Sequence, residues 1–347
     1  MNILHLDLKP VGNQYAEFRF FWDNPNVYQS RQLPLAEIAD LIKNAETGYY
    51  TRLPEEYSKT GQALYNWLDG SDRIFQQALD QYEDSDIVLA IATTESLAHL
   101  PWEVLHNGDE FLVERIPAII PVRWRNNNST QLTWDEQKKD RALNVLFMAT
   151  SPFGIKPVLD FEAEEGRILE ATKRIPLSLA VEESGCLEEL GVFVKQKEKG
   201  HFDVFHLTGH ATEKDGKACF ITETELGEAE YSSAEDIAKK LQTRLPKIIF
   251  LSGCRTGYSN TSTVPTMAET LLKKGATAVL SWGDKVRDSD AIKAAETLYK
   301  SLSAGDTFTE AVAQTYQELI KIKARDWHLL RLYVAKKLPG ALVTTGD

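Results

Sequence analysis

Two reactive side chains follow apolar runs that close on a glycine. One run reads Phe205-His206-Leu207-Thr208-Gly209-His210-Ala211, the other Phe250-Leu251-Ser252-Gly253-Cys254-Arg255-Thr256-Gly257. A cysteine attacks a carbonyl as its thiolate, and a neighbouring imidazole favours that form. The same imidazole can then protonate a leaving amine. The oxyanion formed on attack needs rigid donors, and the backbone N–H groups of Ala211 and Cys254 stand where a strand-to-loop turn would supply them. Gly209 and Gly253 permit the tight backbone such a turn requires. The competing reading of the same residues is a buried structural cysteine and a loop histidine that never meet.

Both residues depend on an alternation of strands and helices. From residue 144 onward, strands are expected at 144–149, 177–181, 203–207, 248–251, 278–282 and 330–334, with a short hairpin arm at 218–222. Helices are expected at 160–174, 187–197, 233–241, 267–274, 290–301 and 307–323. The helix at 160–174 carries acids in its first turn and bases in its last, as the helix dipole prefers. Strands alternating with helices imply a mostly parallel sheet covered on both faces, with chemistry gathered beyond the carboxyl ends of the strands. Ahead of it lies a separate α/β unit. It has strands at 3–8, 15–22, 87–92 and 112–122, and helical stretches at 35–43 and 62–79. A polar stretch from Arg125 to Asp140 reads as a linker or exposed loop. The division expected is 1–135 for the first lobe and 136–347 for the second.

Composition narrows the function. The 347 residues are 43% hydrophobic with a net charge of -12. No basic patch announces nucleic-acid binding, so none is expected. No run approaches the roughly 20 apolar residues of a membrane span. The amino terminus lacks the basic start and long apolar core of a secretion signal, so a cytoplasmic protein is expected. The three cysteines, Cys186, Cys219 and Cys254, are too few and too scattered for a disulfide scaffold. No Gly-x-Ser-x-Gly, dinucleotide or phosphate-loop motif occurs, and no cofactor is expected. His206, His210 and Cys254 together suggest a metal hydrolase as an alternative, but a further ligand is not evident.

The motifs resemble those of CHAT-domain peptidases, in the caspase, separase and gingipain group. Thr208-Gly209-His210-Ala211 resembles the family's histidine motif, and Ser252-Gly253-Cys254-Arg255-Thr256-Gly257 its cysteine motif. Leu97-Ala98-His99-Leu100-Pro101-Trp102-Glu103-Val104-Leu105 is similar to the Leu-Pro-Trp-Glu segment of the preceding lobe. Trp327-His328-Leu329-Leu330-Arg331-Leu332-Tyr333 is similar to the closing strand. The resemblance implies a caspase-like, mostly parallel sheet flanked by helices, preceded by an α/β pseudo-caspase lobe without catalytic residues. It implies a cysteine peptidase with His210 as general acid/base and Cys254 as nucleophile, acting on a protein or peptide and controlled by a regulatory protein or domain. The catalytically silent interaction module remains the alternative.

Substrate would meet Gly209, Ser252, Gly253 and Trp282. Ser252 occupies the position where basic-specific relatives carry an acid, so no strong preference for Arg at the cleaved residue follows. Asp284 and Asp288, in the loop after Trp282, are acids that could enter the same pocket. That loop departs from the Pro-Val-Asp-Asp found in many relatives. The polar segments 257–266 and 283–289 read either as gating loops ordered by a partner or as plain surface loops.

Overall fold

The computed structural model of the protein describes residues 1–46, 54–125, 131–253 and 266–344. Its strands, in chain order, are β1 (Asn2–Val11), β2 (Tyr15–Phe21), β3 (Gln29–Pro34), β4 (Ile87–Thr93), β5 (Ile119–Trp124), β6 (Thr133–Asp135), β7 (Leu143–Ala149) and β8 (Leu177–Glu182). They continue as β9 (Val204–Gly209), β10 (Ala211–Lys214), β11 (Lys217–Glu223), β12 (Ala229–Ser233), β13 (Ile248–Gly253), β14 (Ala278–Trp282), β15 (Leu330–Val334) and β16 (Lys337–Pro339). The helices are α1 (Ala39–Glu46), α2 (Pro54–Asp69), α3 (Ile74–Asp80), α4 (Phe161–Thr172), α5 (Leu187–Lys195), α6 (Ala234–Leu241), α7 (Met267–Lys273), α8 (Asp288–Ser303) and α9 (Phe308–Lys321).

Eleven strands form one sheet in the order β3-β2-β1-β4-β5-β15-β14-β13-β9-β7-β8. Its pairings are parallel except β1 with β2, β2 with β3, and β14 with β15. The central strands are apolar on both faces because helices cover both. Along β13, Ile248 and Phe250 enter one core with Leu298 of α8, while Ile249 and Leu251 enter the other with Leu271 of α7. The first core also takes in Ile3, Val88 and Ile120, so it runs beneath both halves of the chain.

β15 joins the halves. It runs antiparallel to β14 and parallel to β5, with Tyr333 opposite Arg123. Trp124 adds an indole hydrogen bond to the Ala335 carbonyl (2.9 Å). The 125–140 stretch expected as a linker carries strand β6, which pairs with β16, and Lys139 exchanges backbone bonds with Leu342 and Thr344.

Two further expectations are corrected. The single helix over 62–79 is two helices. Gly70 (φ +64°) and Arg73 (φ +55°) take left-handed backbone between them, and Arg31 crosses the gap to the Leu68 carbonyl and to Asp72 (2.8 Å). The strand over 112–122 begins only at Ile119, since Pro117 has no N–H to offer a ladder.

Helix starts are reinforced locally. Ser233 with Asp236, Thr266 with Glu269 and Thr307 with Glu310 each form a reciprocal capping box. Each such cap is worth about 1 kcal/mol.

One buried histidine makes stability pH-dependent. His5 is 2% exposed and stacks on Phe21. Its Nε2 accepts from the Leu132 N–H (2.9 Å), so Nδ1 carries the proton and donates to the Trp22 carbonyl (3.0 Å). Burial lowers its pKa below 6.5. A depressed folded value means the stabilisation is present above 6.5 and is lost as the pH falls through the folded pKa. The melting temperature is therefore expected to fall between neutral pH and the mildly acidic range, and to fall less in His5→Gln. Parallel curves for the two proteins would contradict this.

Candidate functional site

The site lies where β9 and β13 end side by side. They run parallel in a register that pairs Thr208 with Ser252 and Gly209 with Gly253. Paired residues on adjacent strands are about 4.8 Å apart. His210 and Cys254 are thus the successors of register partners. Cys254 and the rest of 254–265 lie outside the described residues.

The glycines answer a spatial demand. Gly209 has φ +154°, and a Cβ there would meet Thr150 Oγ1 at 2.1 Å and the Phe220 ring at 2.9 Å. A Cβ on Gly253 would meet the same ring at 2.6 Å. The fully buried Phe220 of β11 therefore fills the space beneath both strand ends. Gly209→Ala is expected to destabilise the protein by about 2–4 kcal/mol, combining backbone strain with overpacking. Thermal unfolding measures it, and an unchanged midpoint would refute this account of the glycine.

His210 is half-buried and its orientation is fixed. Its Nε2 lies 2.7 Å from the Pro157 carbonyl oxygen. A carbonyl can only accept, so Nε2 bears the hydrogen and Nδ1 is the basic nitrogen of the neutral ring. The His210 carbonyl accepts from the Ile221 N–H (2.8 Å). Ladder alternation then turns the N–H of Ala211, the next residue, away from β11.

Ser252, Trp282 and Asp284 are buried. Ser252 faces the α4 and α8 side, and its hydroxyl donates to Glu164 Oε1 (3.4 Å). Glu164 is 3% exposed and also lies 3.3 Å from His206 Nε2. His206 is fully buried, stacked on Phe250 (4.6 Å) with Tyr299 beyond (5.7 Å). Burial, with Glu164 nearby, pushes the Tyr299 hydroxyl well above its ordinary pKa.

Trp282 packs wholly inside the core rather than at a surface. Asp288 opens α8, two residues before the expected start, and accepts from the Asp160 N–H (3.1 Å), while Asp160 caps α4 through Ala163. Asp288 is thus engaged in joining two helix starts. The loop after Trp282 is short and tied down. Gly283 donates to Leu329 (2.6 Å), Lys285 to Asp284 (2.8 Å) and Arg287 to Asp326 (2.8 Å). The other polar segment, 257–266, falls outside the described residues except for Thr266.

Sequence reasoning missed Pro157, Phe220 and Glu164. Pro157 acts through its carbonyl, which no residue type reveals. Glu164 did leave a signal: it precedes Ile168 and Thr172 at four-residue steps, on the helix face that is buried.

Cys186 and Cys219 are free and buried, and burial pushes the Cys219 thiol up. Among the described residues, no group of His, Cys, Asp and Glu could hold a metal ion, and no helix is long and apolar enough to cross a membrane.

The mostly parallel eleven-strand sheet flanked by helices is a caspase-like fold. The chain belongs to the CHAT domain family, whose pattern matches residues 58–337. Two Saccharomyces cerevisiae separase–securin complexes share the fold at TM-scores of 0.51 and 0.53, with 11% and 13% identity over 97% of this chain. The chain spans only 30% of the length of those separase chains. The complex of pro- and mature domains of RgpB from Porphyromonas gingivalis is similar at a TM-score of 0.50 and 12% identity, over 80% of this chain and 70% of that one. No curated protein matches the sequence.

Proposed function

We propose that the chain is a cysteine endopeptidase that cleaves a partner protein through His210 and Cys254, under the control of a regulatory protein or adjoining domain. The carrying observation is the Gly209–Gly253 register, which makes the two reactive residues successors of paired neighbours. The division into a non-catalytic lobe (1–135) and a catalytic lobe (136–347), and a cytoplasmic setting, belong to the same reading. Regulation is favoured by the fold relatives, which include separase with securin and RgpB with its pro-domain.

The chemistry follows from the assigned roles. His210 Nδ1 takes the Cys254 proton. The thiolate sulfur bonds the scissile carbonyl carbon, and the carbonyl electron pair moves to oxygen, facing the N–H groups of Ala211 and Cys254. The oxyanion then collapses, the C–N bond breaks, and His210 gives its proton to the leaving amine. Water, deprotonated by His210, releases the acyl group and restores the thiol.

Gly209, Gly253 and Ser252 would flank the substrate backbone, with Trp282 behind them. Asp284 and Asp288 would stand at the edge of that pocket, with Asp288 also holding the Asp160 N–H. Ser252 offers a neutral floor, and the carboxylate behind it is engaged by Ser252 and faces His206. No strong preference for Arg at the cleaved residue is therefore expected. A peptide library cut strictly after Arg or Lys would overturn that expectation.

The reading is tested by incubating candidate partner proteins with the wild type and with Cys254→Ala. Discrete fragments from the wild type alone support it. The same fragments from Cys254→Ala would sink it, and binding without cleavage by the wild type would favour the silent interaction module.

A further inference from the structure

Three large apolar side chains are exposed on the segment between β7 and α4 and on the β11–β12 turn: Phe153 (78%), Val158 (65%) and Leu226 (77%). Single exposed apolar residues are ordinary, but a contiguous group marks an interaction surface. Phe153 and the turn bearing Leu226 are linked through Gly227, and Val158 lies on the same chain segment as Phe153. The Phe153 N–H donates to the Gly227 carbonyl (2.9 Å), and a Cβ on Gly227 would meet the Phe153 ring at 2.6 Å. The ring therefore lies on the β11–β12 turn that carries Leu226. Val158 follows Pro157, whose carbonyl holds the His210 ring (2.7 Å).

The backbone under this ridge is fixed at its start. Thr150 donates to the Thr208 carbonyl (3.0 Å), and the Ser151 N–H to Glu223 (2.7 Å). Phe153 is thus tied to the hairpin turn, and the segment that carries it and Val158 reaches His210 through the Pro157 carbonyl. Its surroundings are acidic. Glu225 and Glu228 flank Leu226 in the turn, Asp160 and Glu162 follow Val158, and all four are exposed. Lys156 is the only cation in 151–160.

We propose that this ridge docks the protein substrate, gripping a segment whose apolar side chains are flanked by Lys or Arg. The proposal rests on the peptidase reading of His210 and Cys254. Charge complementarity selects the occupant. An acidic rim on a chain of net charge -12 attracts a basic segment and repels an acidic one. The apolar side chains supply anchoring, and continuity with His210 places the docked segment beside the scissile bond.

The test uses the full chain carrying Cys254→Ala and three fluorescent synthetic peptides. One has Leu and Phe anchors flanked by lysines, one replaces the lysines by glutamates, and one replaces the anchors by serines. The first is expected to bind about tenfold tighter than either control. Phe153→Ser and Leu226→Ser, added singly, are each expected to weaken it by about fivefold or more. Both side chains are exposed, so melting temperatures should not move. Failure of every peptide to bind, or binding indifferent to both substitutions, overturns the proposal. Thiol labelling of Cys254 in chains that retain it separates the two readings. Ridge-dependent binding without His210-dependent labelling keeps the docking surface and removes the peptidase. Labelling that depends on His210, without ridge-dependent binding, does the reverse.

Discussion

His210→Ala is expected to slow cleavage of the protein substrate by at least about a hundredfold while leaving the melting temperature unchanged. General acid–base catalysis by a positioned imidazole contributes about a hundred- to ten-thousandfold. The ring is asked both to form the thiolate and to protonate the amine, so its loss removes two steps together. Stability is spared because His210 is only partly buried, beyond the end of β9, and truncation there leaves little cavity. The lost hydrogen bond frees the Pro157 carbonyl on an exposed loop, where water can replace it. Single-turnover cleavage and thermal melting should be measured on the same preparation. Undiminished cleavage by a folded His210→Ala would remove the histidine from the mechanism.

Glu103→Ala is expected to destabilise the protein by about 3–5 kcal/mol, the cost of stranding a buried charge. Glu103 is fully buried and takes Arg123 with both carboxylate oxygens, at 2.9 Å from Nε and 2.8 Å from Nη2. The remaining guanidinium donors reach the Ala98 (2.6 Å) and Leu100 (2.9 Å) carbonyls. The pair clamps the Leu-Pro-Trp-Glu segment onto β5 near its pairing with β15, the strand that joins the two halves. Removing the carboxylate leaves Arg123 in low-dielectric surroundings with only two carbonyl partners. Glu103→Gln keeps one acceptor oxygen and should cost less. Chemical denaturation would report both, and a Glu103→Ala midpoint equal to wild type would show that the pair carries no net stability.

The second half of the fold was legible because its strands are buried on both faces. Runs such as Ile248-Ile249-Phe250-Leu251 and Ala278-Val279-Leu280 have no polar face to confuse the period. Elements at margins were less readable. β3 is a polar edge strand, with only Leu33 buried, and offers no alternation. β6 hides in a polar stretch and exists through its pairing with β16, some 200 residues away in sequence. The break between α2 and α3 depends on Arg31 reaching in from β3. At the site, the two strand ends and their paired glycines could be read from residue type and order. The Pro157 carbonyl could not, because it arrives through the adjacency of β7 and β9. Glu164 passed for a helix-dipole acid, whereas its buried carboxylate meets Ser252.

The most direct test of the His210–Cys254 pair needs no substrate. A mild alkylating reagent is applied to the folded protein at neutral pH, and the modified cysteines are mapped over time by mass spectrometry. Cys254 should react well ahead of the buried Cys186 and Cys219, and its rate should drop sharply in His210→Ala. A Cys254 rate indifferent to His210, or earlier modification of Cys186 or Cys219, would contradict the account.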